Sequence, residues 1–157
     1  MLRKGKGELE MASINNMKAM LNRETKKYLR IHGTEEWKKE CLRKAGYKCE
    51  ITGKTSQLDV HHINNAFDSI MHKAHKKLDI KYHKYITEYN TGEIDLLIQE
   101  IKEMHKDVQG AVMLHGLHME FHQHYGKKAT TDDYKAFKKY KRTKLYKAKN
   151  GAHKKIA

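Results

Sequence analysis

Apolar residues recur at helical spacing along most of this chain and close up into short continuous runs near its middle. Residues 34–45 carry Trp37, Cys41, Leu42 and Ala45 on one helical face. Thr34 stands where an N-cap would, Glu35 and Glu36 fall in the first turn, and Gly46 supplies the stop. A second helix is predicted over 66–78, with Phe67, Ile70, Met71, Ala74 and Leu78 on one side. A third starts after Thr91 and runs to about 106, its stripe made by Ile94, Leu97, Ile98, Ile101 and Met104. Stripes of this kind are packing faces far more often than cofactor sites. The last helix begins at Thr130 or Thr131 with Asp132 and Asp133 in its first turn, where acids complement the helix dipole. It is expected to dock through Tyr134, Phe137 and Tyr140 and to fray beyond about Leu145. Residues 14–31 suit a further helix, and residues 1–13 read as disordered.

The continuous runs predict strands. Cys49-Glu50-Ile51, a Thr52-Gly53-Lys54 turn and then Gln57 to Ile63 read as strand, turn and strand; Gly110 to Leu114 is another apolar run. A helix with His115, His118 and His122 follows at once. Positions four apart on a helix stack, so His118 and His122 can offer two imidazoles to one ion. His124 lies roughly 200° further round from His122, and His115 is one turn behind His118, so neither is expected to take part. A third ligand has to come from another element. His61 and His62 are adjacent in a strand and face opposite ways, so one can bind a metal while the other reaches a substrate.

Composition sharpens this picture. One domain of ordinary size fits 157 residues. The formal net charge is +14, and its excess sits at the ends. Residues 127–157 carry twelve Lys or Arg against two Asp, residues 1–33 carry eight against three Glu, and residues 34–126 carry thirteen against fourteen acids. Basic flanks on a near-neutral body are what a polyanion-binding protein needs, because each neutralised phosphate releases counterion. Lys127, Lys128, Lys135, Lys138, Lys139, Lys141, Arg142 and Lys144 are the candidate phosphate contacts. No run approaches the ~20 apolar residues of a membrane-spanning helix, and the first residues lack the apolar core of a secretory signal. A cytoplasmic site is the expectation. Cys41 and Cys49, without a Cys-x2-Cys pair, point to packing rather than to a disulfide framework or zinc knuckle. Proline is absent, which favours helices that run on until glycine stops them.

The order Cys49-Glu50-Ile51-Thr52-Gly53, then Leu58-Asp59-Val60-His61-His62-Ile63, then Gly110 to Leu114 and His118-Met119-Glu120-Phe121-His122-Gln123-His124-Tyr125-Gly126 resembles the HNH endonuclease family. More narrowly, it is similar to free-standing phage HNH enzymes, including those treated as homing endonucleases. The resemblance spans about residues 35–140. It implies an α+β, mostly helical chain with a ββα-metal core, a helical insertion over about 66–107 between the strands, and basic helical extensions at both ends. Domain limits of 1–33, 34–126 and 127–157 follow. By position, His62 resembles the general base, His61 the first metal ligand, and His118 and His122 the ligands from the helix. Family members leave a 5′ phosphate and a 3′ hydroxyl. If the chain is phage-encoded, the cytoplasm implied is that of the host.

Two positions depart from the family pattern. The middle Asn of the motif is replaced by Gln109, whose longer arm has to hold the loop bearing the base; Asn64 or Asn65 could share that task. Cysteines that carry a zinc knuckle in some relatives are Leu114 and Leu117 here, so no structural zinc is expected. Asp59, two residues before His61, suits a supporting role. Three imidazoles favour Zn²⁺, Ni²⁺ or Mn²⁺, while Mg²⁺ would rely on phosphate and water to complete its shell. The resemblance implies a DNA endonuclease that uses one divalent ion on double-stranded DNA. The alternatives are a DNA-binding protein with a vestigial HNH fold, and a nuclease acting on RNA or without sequence preference.

Overall fold

The computed structural model describes residues 21–126 and 129–153. The chain is α+β and mostly helical. Its elements are α1 (Arg23–Lys44), β1 (Leu58–His62), α2 (Phe67–Leu78), a 3-10 turn (Ile86–Glu88), α3 (Thr91–His105), β2 (Gly110–Leu114), α4 (His115–Tyr125) and α5 (Thr131–His153). The contacts divide it into two compact units. Among the described residues one comprises 21–37 with 65–108, and the other 38–64 with 109–153.

The helical unit is organised by the stripes read from the sequence. Phe67, Ile70, Met71 and Ala74 of α2 and Leu97 and Ile101 of α3 are buried with Leu29 and Val108, while Ile94, Ile98 and Met104 pack around them. Asn90 caps α3, accepting from Glu93 N at 2.8 Å while Glu93 Oε2 accepts from Asn90 N, a reciprocal capping box. The expected helix start at Thr34 is overturned. Helix α1 runs unbroken through that position, and Thr34 Oγ1 donates to Arg30 O at 2.7 Å. The capping side chain is Asn22, whose Oδ1 accepts from Thr25 N at 2.7 Å. Gly33 lies inside the helix because a Cβ there would come within 2.5 Å of Ile101 Cγ2. A close approach to α3 therefore outweighs the roughly 1 kcal/mol that glycine costs a helix. The disorder expected for residues 1–13, and the helix expected from residue 14 as far as residue 20, lie outside the described residues.

The second unit holds the sheet. β1 and β2 pair antiparallel from Leu58 opposite Leu114 to His62 opposite Gly110, with α4 following β2 directly. Beneath them Cys49, Ile51, Ala111, Met113 and Phe121 form a core that Tyr134 and Phe137 of α5 complete. The expected strand at 49–51 does not form. Cys49 to Lys54 closes as a tight turn, with Gly53 N donating to Cys49 O and Cys49 N to Lys54 O, both at 2.8 Å. Glu50 bonds the edge of the sheet: its N donates to Val112 O at 2.9 Å, and its carboxylate takes the place of a strand carbonyl by accepting from Val112 N at 3.1 Å.

Helix α5 also differs from expectation. It continues to His153 rather than ending near Leu145. Tyr134 and Phe137 dock, but Tyr140 is 58% exposed. At 100° per residue position 140 leaves the face of 134 and 137, and Lys141 takes its place.

Candidate metal centre

Strand alternation and one helical face build the site. Asp59 and His61 are two apart on β1 and share its face toward α4. His115, His118 and His122 recur at i, i+3 and i+7 on α4 and so share a face. His61 Nδ1 lies 3.2 Å from His118 Nε2, and His122 Nε2 lies 3.0 Å from the same atom. Among the described residues, these three side chains form the group able to hold a metal ion, with ligand atoms all within 4.8 Å of one another. Two nitrogens bound tetrahedrally at ~2.0–2.1 Å stand about 3.3 Å apart, close to the two shorter separations.

The outer ring nitrogens decide which atoms face inward. Asp59 Oδ2 accepts from His118 Nδ1 at 2.9 Å, and Gly126 O accepts from His122 Nδ1 at 3.3 Å. Both Nδ1 atoms therefore carry the proton, and both Nε2 atoms present lone pairs. Lone pairs 3.0 Å apart repel unless a cation or a shared proton lies between them, so the donor set fits a divalent ion. Gly126 accepts this bond from a backbone at φ +72°, which also lets its N–H close α4 on His122 O at 2.9 Å.

Electrostatics favour the metal-ready form. Burial, then the neighbouring His118 and His122, pull the His61 imidazole down to about 4, so it stays neutral in mild acid. Burial pushes the Asp59 carboxyl up, but hydrogen bonds from His118 and His115 outweigh it and hold the group below its ordinary value. Phe121, fully buried, stacks edge-on against His61 with ring centres 5.0 Å apart and forms an apolar floor.

The remaining candidates scatter. His62, half-buried, follows His61 on β1 and turns to the opposite face of the strand. Gln109 is exposed and takes part through its backbone: its O accepts from Ile63 N at 2.9 Å, and its N donates to Asn64 Oδ1 at 2.8 Å. Asn64 thus ties the ends of the two strands together. On α5, Lys138 donates to Glu50 Oε2 at 3.0 Å, Arg142 to Glu50 O at 2.6 Å, and Lys141 pairs with Glu120. These three bind their own unit. Lys135, Lys139 and Lys144 are exposed, and Lys127 and Lys128 lie outside the described residues.

Two participants were not anticipated. His115, set aside on spacing, donates from Nδ1 to Asp59 Oδ2 at 2.7 Å. The i, i+3, i+7 recurrence with His118 and His122 was the available signal. Glu50 accepts from Tyr134 Oη at 3.1 Å as well as from Lys138. A lone acid among Lys48, Cys49 and Ile51 in a chain whose last helix is basic was its only trace. Among the described residues no helix is long and apolar enough to cross a membrane. Comparison with protein-family models, with curated proteins and with solved structures finds nothing that matches this chain.

Proposed function

We propose that this chain is a metal-dependent DNA endonuclease of the HNH type, with a ββα-metal core made by β1, β2 and α4. The observation that carries the reading is the convergence of His61 Nδ1, His118 Nε2 and His122 Nε2, with the outer nitrogens of the two helical histidines tied to Asp59 and Gly126. The order strand, His-His, strand and helix, with a helical segment between the strands, agrees with the motif resemblance.

His61, His118 and His122 would hold one divalent ion, Mg²⁺, Mn²⁺, Zn²⁺ or Ni²⁺. Such an ion supplies Lewis-acid stabilisation of charge on a phosphate oxygen and on the leaving 3′ oxygen. His62, on the other face of β1, takes the proton from the attacking water, for which an imidazole is suited at neutral pH. Asn64 holds the strand ends that carry His61 and His62, the task that the motif Asn has in the family and that the exposed Gln109 side chain does not perform. Exposed Lys135, Lys139 and Lys144 on α5 would contact the phosphates of double-stranded DNA, with Lys127 and Lys128 as further contacts. Lys138, Lys141 and Arg142 hold α5 in place for them.

The test is incubation of purified protein with supercoiled plasmid and each of the four ions. Open circles are expected from nicking and linear product from double-strand cutting. His62→Ala should abolish cleavage while metal affinity stays near wild type. Tight DNA binding without cleavage under any ion would replace this reading with a binding protein on a degenerate site, which the substitution at Gln109 favours. Cleavage of RNA or of any DNA alike would replace it with a non-specific nuclease.

A further inference from the structure

We propose that His115 is a positioning residue for the metal centre, the outer member of a hydrogen-bonded chain running from His115 through Asp59 to His118. The inference rests on His61, His118 and His122 holding an ion. His115 itself contributes no atom to that group. Its backbone is pinned, with N donating to Gln57 O at 2.7 Å where the strand register gives way to α4. Its side chain is 58% exposed, so packing does not explain its orientation. What does is Asp59 Oδ2, which accepts from His115 Nδ1 at 2.7 Å and from His118 Nδ1 at 2.9 Å.

A carboxylate bonded to one imidazole can rotate about its side-chain torsions and release it. One oxygen held by two donors from a single helical face is confined to an orientation that keeps the proton on His118 Nδ1. The lone pair of His118 Nε2 then points at His61 and His122. His115 thus acts on the ion through the tautomer of another residue. Outer partners of this kind change metal affinity by roughly 10- to 100-fold when they bond a ligand directly. One step further out, about three- to tenfold is expected.

The experiment is calorimetric titration of the full-length protein with Zn²⁺ and Ni²⁺, beside ¹⁵N spectra of the histidine rings without metal. His115→Ala should lower affinity about three- to tenfold and convert His118 from the Nδ1–H form to a tautomer mixture. His115→Asn puts an amide N–H where Nδ1 stood and should restore both readouts; His115→Gln should not. In an Asp59→Ala background, His115→Ala should have no further effect. An equal loss in that background would overturn the proposal, as would wild-type affinity and tautomer in His115→Ala. Wild-type protein that binds neither ion overturns the metal centre and this inference together. Metal binding without DNA cleavage would remove only the nuclease reading.

Discussion

Each unit of this chain gathers histidines, buried in the helical unit and buried or half-buried in the sheet unit, and the two sets differ in what their ring nitrogens face. In the helical unit, His75 Nδ1 meets Met71 O at 2.8 Å and its Nε2 meets Tyr89 Oη at 3.0 Å; His105 Nδ1 meets Ile101 O at 2.6 Å, and His72 Nδ1 meets Tyr82 Oη. Every one of those nitrogens has an oxygen partner from the protein. In the sheet unit, the inner nitrogens of His61, His118 and His122 face one another. Burial of an imidazole is therefore uninformative by itself. A candidate ligand is marked by an inner nitrogen that has only other nitrogens for company and, for His118 and His122, by an outer one tied to an oxygen.

The largest expected effect separates the two sets directly. His118→Ala or His122→Ala should weaken Zn²⁺ binding by more than about a hundredfold in calorimetry, because a ligand is lost rather than an outer partner. His75→Leu should leave that affinity unchanged and instead lower the urea unfolding free energy by about 1–3 kcal/mol, since the buried Tyr89 hydroxyl loses its acceptor and Met71 O loses one of its donors. Zn²⁺ affinity that follows His75 would erase the contrast.

A smaller effect concerns pH. Burial holds the His75 imidazole below its ordinary value, so between that value and the ordinary ~6.5 the unfolded chain takes up a proton that the folded one does not. Stability is then fully present above pH 6.5 and falls as the pH drops below it, by up to about 1.4 kcal/mol per pH unit. Urea melts of wild type and His75→Leu at pH 7.5 and 5.5 isolate this share, because His61 contributes to both proteins alike. Parallel losses in the two would show that His75 does not titrate in this way.

The smallest effect divides the cations of α5. Lys139→Ala should reduce DNA affinity modestly and lower the salt slope by about one. Lys138→Ala should leave the slope nearly unchanged and lower stability by less than about 1 kcal/mol, as expected for a partly exposed ion pair with Glu50. Reversal of the two outcomes would mean that the ties to Glu50 give way on binding DNA.

Much of this architecture was legible in the chain. Periodicity located α2 and α3, and the short apolar runs located β1 and β2, because in each case the pattern is local and the burial follows it. The geometry of His61, His118 and His122 was legible for the same reason: strand alternation and helical stacking are short-range rules. What escaped depends on distant partners. Thr34 has every local mark of a cap, yet Ile101 of α3 draws Gly33 and the helix through it. Cys49-Glu50-Ile51 has strand composition, but only Glu50 reaches Val112. His115 lacks a neighbour in sequence that would explain it, since Asp59 comes from 56 positions earlier.

The position of Glu50 has a bearing on how the chain avoids its own kind. Val112 directs both its backbone N–H and its carbonyl to Glu50, on the side of β2 away from β1. A two-stranded sheet left open there would offer a ready template for a strand from another molecule. Glu50 fills both valences with a single residue, one of them through a side chain that cannot extend a ladder, and α5 then fastens that residue through Tyr134, Lys138 and Arg142. The basic helix, whose charge suggests a grip on polyanions, serves in the fold as the guard of a vulnerable edge.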